Sequence, residues 1–187
     1  FVQLPPFRER QPEPEDSVWS RVRDAQARSL ALPHTGMAIL TDAGQEDDIH
    51  PKDKKPAGDR LAQWAKATVY GMDVIPSGPL FEKMEIKGPK AELIFRHVGK
   101  GLEAREVTLI GGHDISADKL QGFSICGPDK IFVRADAGIT GPGQITVSHP
   151  DITTPVAVRY GWSSFPLCNL YNQDGLPASP FRTDDFP

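Results

Sequence analysis

Cysteine is scarce, with only Cys126 and Cys168 in 187 residues. They lie far apart, each in apolar company beside Ile125 and Leu167, and no CxxC or Cys/His ligand spacing occurs. That pattern favours two separate buried thiols over a disulfide and gives no structural zinc site. Long hydrophobic runs are missing too. No apolar stretch approaches the ~20 residues of a membrane span, and the N-terminus has no signal peptide. Positive charge is not in excess: 21 Lys and Arg stand against 25 Asp and Glu, for a net charge of −4. No basic patch or polybasic run suggests nucleic acid or a membrane surface as partner. An initiator Met is also lacking. The chain opens on Phe1-Val2-Gln3-Leu4, which reads as a strand, so an origin in something longer is expected.

What is present supports a folded core. Hydrophobic residues make up 39% of the chain, enough for one ordinary domain or two small ones. Phe1–Leu4 reads as a short strand stopped by Pro5-Pro6. After the polar loop Pro12–Asp16, Ser17 is a suitable N-cap, and Asp16 suits the positive end of a helix. The spacing predicts a helix over 18–29. Trp19, Val22, Ala25 or Gln26, and Ser29 would face inward, with Arg21, Arg23, Asp24 and Arg28 outward. Met37–Leu40 is a continuous apolar run, as in a parallel strand buried on both faces. A second helix begins near Lys54 or Pro56 and runs to about Tyr70. Its inner face is read as Ala57, Leu61, Trp64, Ala65 and Thr68, with Gly71 as its stop.

Strand, helix, strand, loop and helix together are an α/β signature. After Gly71 helical periodicity ends. Short strand-like runs at 83–86, 91–95, 106–110, 122–125, 130–135, 144–147 and 156–160 alternate with Gly and Pro breakers, including Gly111-Gly112. This is the pattern of an all-β sandwich. The division is therefore 1–72, α/β, followed by 73–187, all-β. The tail from Trp162 onward is expected as ordered loop against the body.

The stretch with the most chemistry is Gly44-Gln45-Glu46-Asp47-Asp48-Ile49-His50-Pro51. It places an imidazole three residues after one carboxylate and two after another. The loop follows a buried strand and precedes a helix, where open α/β sheets place their sites. A histidine oriented by a carboxylate is the base half of a serine-hydrolase site. Asp47 has the right separation to orient it, and Asp48 is the alternative. The alternative is a surface loop whose Asp caps the following helix.

No nucleophile is evident. Gly122-Phe123-Ser124-Ile125-Cys126 comes nearest to a nucleophile elbow, but it ends in Cys and lies among strands. Ser163 and Ser164 read as loop, and Cys126 has no activating neighbour. His34, His97, His113 and His149 each stand alone in a turn or at a strand end. Trp162, Phe165 and Tyr171 suggest either a sugar platform or packing of the tail, and packing is the simpler reading.

Several segments resemble the later part of the sialate O-acetylesterases, members of the SGNH hydrolase superfamily. They are Thr35-Gly36-Met37-Ala38, Asp48-Ile49-His50-Pro51-Lys52-Asp53-Lys54, Gly58-Asp59-Arg60-Leu61-Ala62, Tyr70-Gly71 and Ser77-Gly78-Pro79-Leu80. The likeness continues through Leu120-Gln121-Gly122-Phe123, Pro155–Trp162, Asn169-Leu170-Tyr171-Asn172 and Gly175–Asp184. The resemblance implies the C-terminal portion of an SGNH-type α/β/α hydrolase domain over 1–72, then a β-sandwich domain over 73–187. It implies a serine esterase that removes O-acetyl groups from sialic acid or related sugars, without metal or cofactor. His50 would be the base. The SGNH Asp-x-x-His spacing falls on Asp47, and the family's Asp-Ile-His-Pro falls on Asp48.

In that family the nucleophile comes from an upstream Gly-Gln-Ser-Asn segment, which this chain lacks. The resemblance thus implies an upstream segment or second chain as partner, supplying the serine and the oxyanion hole. It also implies a periplasmic, extracellular or lysosome-like setting. A non-catalytic glycan-binding or structural β-sandwich module is the alternative, and acetylated xylan an alternative substrate.

Overall fold

The structure, a computed structural model, describes residues 1–11, 13–109 and 113–186. Pro12 in the first loop, Ile110 at the end of the expected 106–110 strand, the Gly111-Gly112 breaker, the His113 ring and Pro187 lie outside the described residues. The architecture is mostly β with two short helices.

Helix α1 (Val18–Arg28) starts at a capping box, and the single turn Ser29–Ala31 follows it. The Ser17 hydroxyl accepts the Ser20 amide at 3.1 Å, and the Ser20 hydroxyl accepts the Ser17 amide at 3.2 Å. The bounds match expectation to one residue, but the buried face does not. Arg23, expected outside, is fully buried, whereas Val22 is 41% exposed. Arg23 Nη2 donates to the carbonyls of Ser163 at 2.5 Å and Ser164 at 2.9 Å. Those loop carbonyls have turned inward and require donors. Burial lowers the Arg23 pKa to about 10, so it stays charged at neutral pH.

Helix α2 (Lys55–Thr68) behaves similarly. Leu61 and Thr68, read as inner, are exposed, while Arg60, Gln63 and Trp64 turn inward. Trp64 Nε1 donates to Met37 O at 2.8 Å, Arg60 Nη1 to Ile39 O at 2.6 Å and Gln63 Nε2 to Ile75 O at 2.9 Å. In both helices the inner face is chosen by hydrogen bonds that backbone carbonyls need as much as by apolar burial.

The two expected parallel strands come together, but only as single bridges. Val2 pairs with Ala38 and Phe7 with Gln45, both parallel. Gln3 N donates to Ala38 O, and Ala38 N to Phe1 O, each at 2.9 Å. The α/β expectation for 1–72 therefore reduces to one short parallel pair crossed over by α1. Gln26 of α1 spans one outer edge, donating to Val2 O at 3.2 Å and accepting Leu4 N at 2.9 Å. On the other edge, Met37 and Ile39 carbonyls are taken by Trp64 and Arg60. Side chains thus occupy the positions a third and fourth strand would fill.

Beyond α2 come β1 (Leu80–Lys87), β2 (Lys90–Arg96), β3 (Leu102–Ala104), β4 (Val107–Leu109), β5 (His113–Ile115) and β6 (Phe123–Cys126). They are followed by β7 (Phe132–Arg134), β8 (Asp136–Gly141), β9 (Gln144–Ser148), β10 (Ala157–Tyr160), β11 (Leu170–Asn172) and β12 (Phe181–Arg182). Two four-stranded antiparallel sheets, β1-β2-β9-β8 and β12-β10-β6-β7, line one core. Leu93, Phe95, Ile145 and Val147 from the first sheet meet Phe123, Ile125, Val158, Tyr160 and Phe181 from the second. The pairs β11-β3 and β4-β5 lie outside these sheets. The tail is more than a loop: it contributes β11 and β12, and Phe181 stacks on Phe81 at 4.5 Å. Among the described residues no helix is long and apolar enough to cross a membrane.

Both cysteines are free and buried. Burial pushes the Cys168 thiol from 9.0 up to about 12 and raises Cys126 as well. Neither should react with iodoacetamide in the native protein at pH 8, and both should react in denaturant, as intact mass will reveal. Raising a thiol pKa on folding favours the native state while the thiol is protonated. The Cys168 contribution is therefore complete below about pH 9 and lost as pH rises towards 12.

Candidate functional site

The Asp/His loop leaves the buried run Met37–Leu40 and enters α2. Its origin is fixed by a charged clamp. Arg60 donates to both Asp42 oxygens at 2.6 Å, and Tyr171 Oη donates to Asp42 Oδ2 at 2.7 Å. Burial, then the Asp42 carboxylate, raises the Tyr171 pKa far above the usual phenol range, so it remains a donor. Strand end, α2 and β11 are thereby tied at one point.

Segment 5–10 runs beside the loop. Arg8 N donates to Glu46 O at 3.1 Å, while the Arg10 amide and Nε donate to Glu46 Oε1 at 3.2 and 3.0 Å. Gly44 allows the close approach: a Cβ there would lie 2.2 Å from Pro6 O. Gly44→Ala is expected to push this segment off the loop and cost on the order of 1–3 kcal/mol, read from the urea midpoint. Across the loop, Gln45 Oε1 accepts the Lys52 amide at 2.9 Å.

His50 stands out into solvent, its side chain 84% exposed. Asp48 is its neighbour in space. Asp48 Oδ1 accepts the His50 amide at 2.8 Å and lies 3.7 Å from His50 Nδ1. The first contact is an Asx turn, which holds the carboxylate beside the ring. The second is longer than a hydrogen bond. Asp47 is solvent-exposed and forms no ion pair with the imidazole. Of the three expected residues, the structure thus brings Asp48 and His50 together and leaves Asp47 apart. Among the described residues no group of three or more His, Cys, Asp or Glu side chains is gathered as a metal site requires.

The other sequence candidates are structural. Ser124 is buried in β6, with its backbone paired opposite Arg159 and Arg134. Phe165 and Tyr171 are buried in a small cluster. The Trp162 ring is covered by the guanidinium groups of Arg159 at 5.0 Å and Arg182 at 5.3 Å. These three rings offer packing, not an open stacking face. His97, read as a lone turn histidine, is half-buried with its Nδ1 2.8 Å from the Ser77 hydroxyl. The same hydroxyl lies 2.9 Å from Gly78 O, and the His97 tautomer decides which of the two takes its proton. Burial, then the Arg96 charge, lowers the His97 pKa.

Sequence reasoning did not find the Asp42, Arg60 and Tyr171 clamp. Its members are 18 and 129 residues apart, and no local spacing signals them.

No family model matches the chain. A sialate O-acetylesterase of Mus musculus is 26% identical over 162 residues, covering 80% of this chain and 28% of the mouse protein. A crystal structure described as a carbohydrate acetylesterase from Xanthomonas citri superposes with a TM-score of 0.86 at 41% identity. It covers 99% of this chain, which corresponds to 40% of that one. The chain thus spans less than half the length of either protein. Sequence and structure point the same way: the chain is similar in sequence to a sialate O-acetylesterase and in structure to a carbohydrate acetylesterase.

Proposed function

We propose that this chain supplies the base half of a serine esterase acting on O-acetylated sugars. The observation that carries the reading is the solvent-facing His50 with the Asp48 carboxylate 3.7 Å from its Nδ1, in a chain similar over nearly all its length to a carbohydrate acetylesterase. His50 Nε2 takes the proton of a serine hydroxyl as that oxygen attacks the acetyl carbonyl. The resulting imidazolium protonates the departing sugar oxygen, leaving an acyl-enzyme. His50 then activates water, and acetate leaves. Asp48 holds the Nδ1 proton and stabilises the imidazolium. An upstream segment or second chain supplies the serine and the oxyanion donors.

The first part, 1–72, is read as the end of an SGNH hydrolase domain, and the two sheets over one core as a β-sandwich. The family resemblance supports a periplasmic, extracellular or lysosome-like setting.

The test is acetate release from O-acetylated sialic acid and from acetylated xylan. The chain assembled with a serine-bearing segment should turn over at least one of them, and the chain alone neither. Release by the chain alone would overturn the reading. In the assembled enzyme Asp48→Asn should lower kcat by about 10²–10⁴-fold, whereas Asp47→Asn should change it little. The reverse order would reassign the orienting carboxylate.

A further inference from the structure

We propose that Gln45 is a positioning residue for His50, an inference that rests on the reading of His50 as the base. Lys52 follows Gln45 by seven positions, and Asp47, Asp48 and His50 lie between them. The Gln45 side chain closes this span through the 2.9 Å bond from the Lys52 amide to its Oε1. Three observations make the closure a built feature. Gln45 is only 5% exposed, so its amide group is fixed inside the protein instead of sampling solvent. Its backbone is held independently by the parallel bridge to Phe7, so the side chain reaches across from an anchored base. The ring it serves is 84% exposed, and packing around that side chain can therefore do little to hold it. Its direction depends on the backbone of the loop, whose ends Gln45 joins.

Within that closed loop, the Asx turn of Asp48 sets the local direction of His50. Gln45 sets where the turn sits relative to α2. Loss of the acceptor frees the Lys52 amide and widens the loop. A misplacement of about 1 Å at a reacting group costs on the order of 10²-fold in rate.

The experiment compares Gln45→Met, which keeps the volume and removes the acceptor, with Gln45→Glu, which retains an acceptor oxygen. His50→Ala serves as reference, all in the assembled enzyme. We expect Gln45→Met to lower kcat by roughly 10²-fold with KM unchanged, and Gln45→Glu to recover most of it. Amide hydrogen exchange at Lys52 should speed up in the Met variant and not in the Glu variant. Unchanged kcat in Gln45→Met, or equal loss in both variants, overturns the positioning role. If His50→Ala leaves turnover intact, the base reading itself fails, whatever Gln45 does.

Discussion

His50→Ala is expected to reduce turnover by about four to six orders of magnitude in the assembled enzyme, with the fold intact. The size follows from the role. Under the proposed role, loss of the imidazole leaves nothing to take the serine proton or return it to the leaving sugar oxygen, so only binding and oxyanion stabilisation remain. The fold is expected to survive because the His50 side chain is 84% exposed. Its structural bond to Asp48 runs through the backbone amide, which alanine retains. Circular dichroism and the unfolding midpoint should therefore match the parent while kcat collapses. Unchanged turnover with sugar binding intact would instead favour a non-catalytic glycan-binding module.

The second large effect concerns stability. Asp184 is nearly sealed, its side chain 1% exposed, and it accepts Arg159 Nε at 2.9 Å and Nη2 at 2.8 Å. The Arg159 guanidinium also lies 4.0 Å from the centre of the Phe132 ring. Asp184→Ala would leave that cation in a low-dielectric slot without its counter-charge. We expect a loss of about 3–5 kcal/mol in urea unfolding. Replacing both partners with apolar residues of similar volume should cost much less, because no charge is then stranded. Arg28→Ala makes a suitable control. Its contact with Asp185 joins side chains 55% and 87% exposed, and exposed pairs contribute under about 1 kcal/mol. Comparable losses for Asp184→Ala and Arg28→Ala would show that burial does not govern this network.

The legibility of these features in the sequence follows from how local their causes are. Helix bounds could be read because Ser17 caps in place and Gly71 stops the chain after α2. Most strands after Gly71 could be read from alternation between breakers. Inner helix faces were misread because Arg23, Arg60 and Gln63 go inward to serve carbonyls, a demand set by other parts of the chain. The β8 strand was missed since Asp136, Gly138 and Gly141 weaken its strand pattern, and β11 and β12 since each is only two or three residues long in a proline-rich tail. The Asp/His pairing was visible because both members lie within one loop. The Asp42, Arg60 and Tyr171 clamp was not, because folding alone brings those residues together.

The side-chain caps on the short parallel pair bear on how the protein can be handled. Open strand edges recruit other chains and drive aggregation. Here the Gln26 amide and the donors of Arg60 and Trp64 already occupy those edges. The isolated chain is therefore expected to resist edge-to-edge association, because Gln26 holds the two backbone groups that an added strand would need. Gln26→Ala, by removing the placeholder, should make the isolated chain more prone to self-association, as light scattering will show.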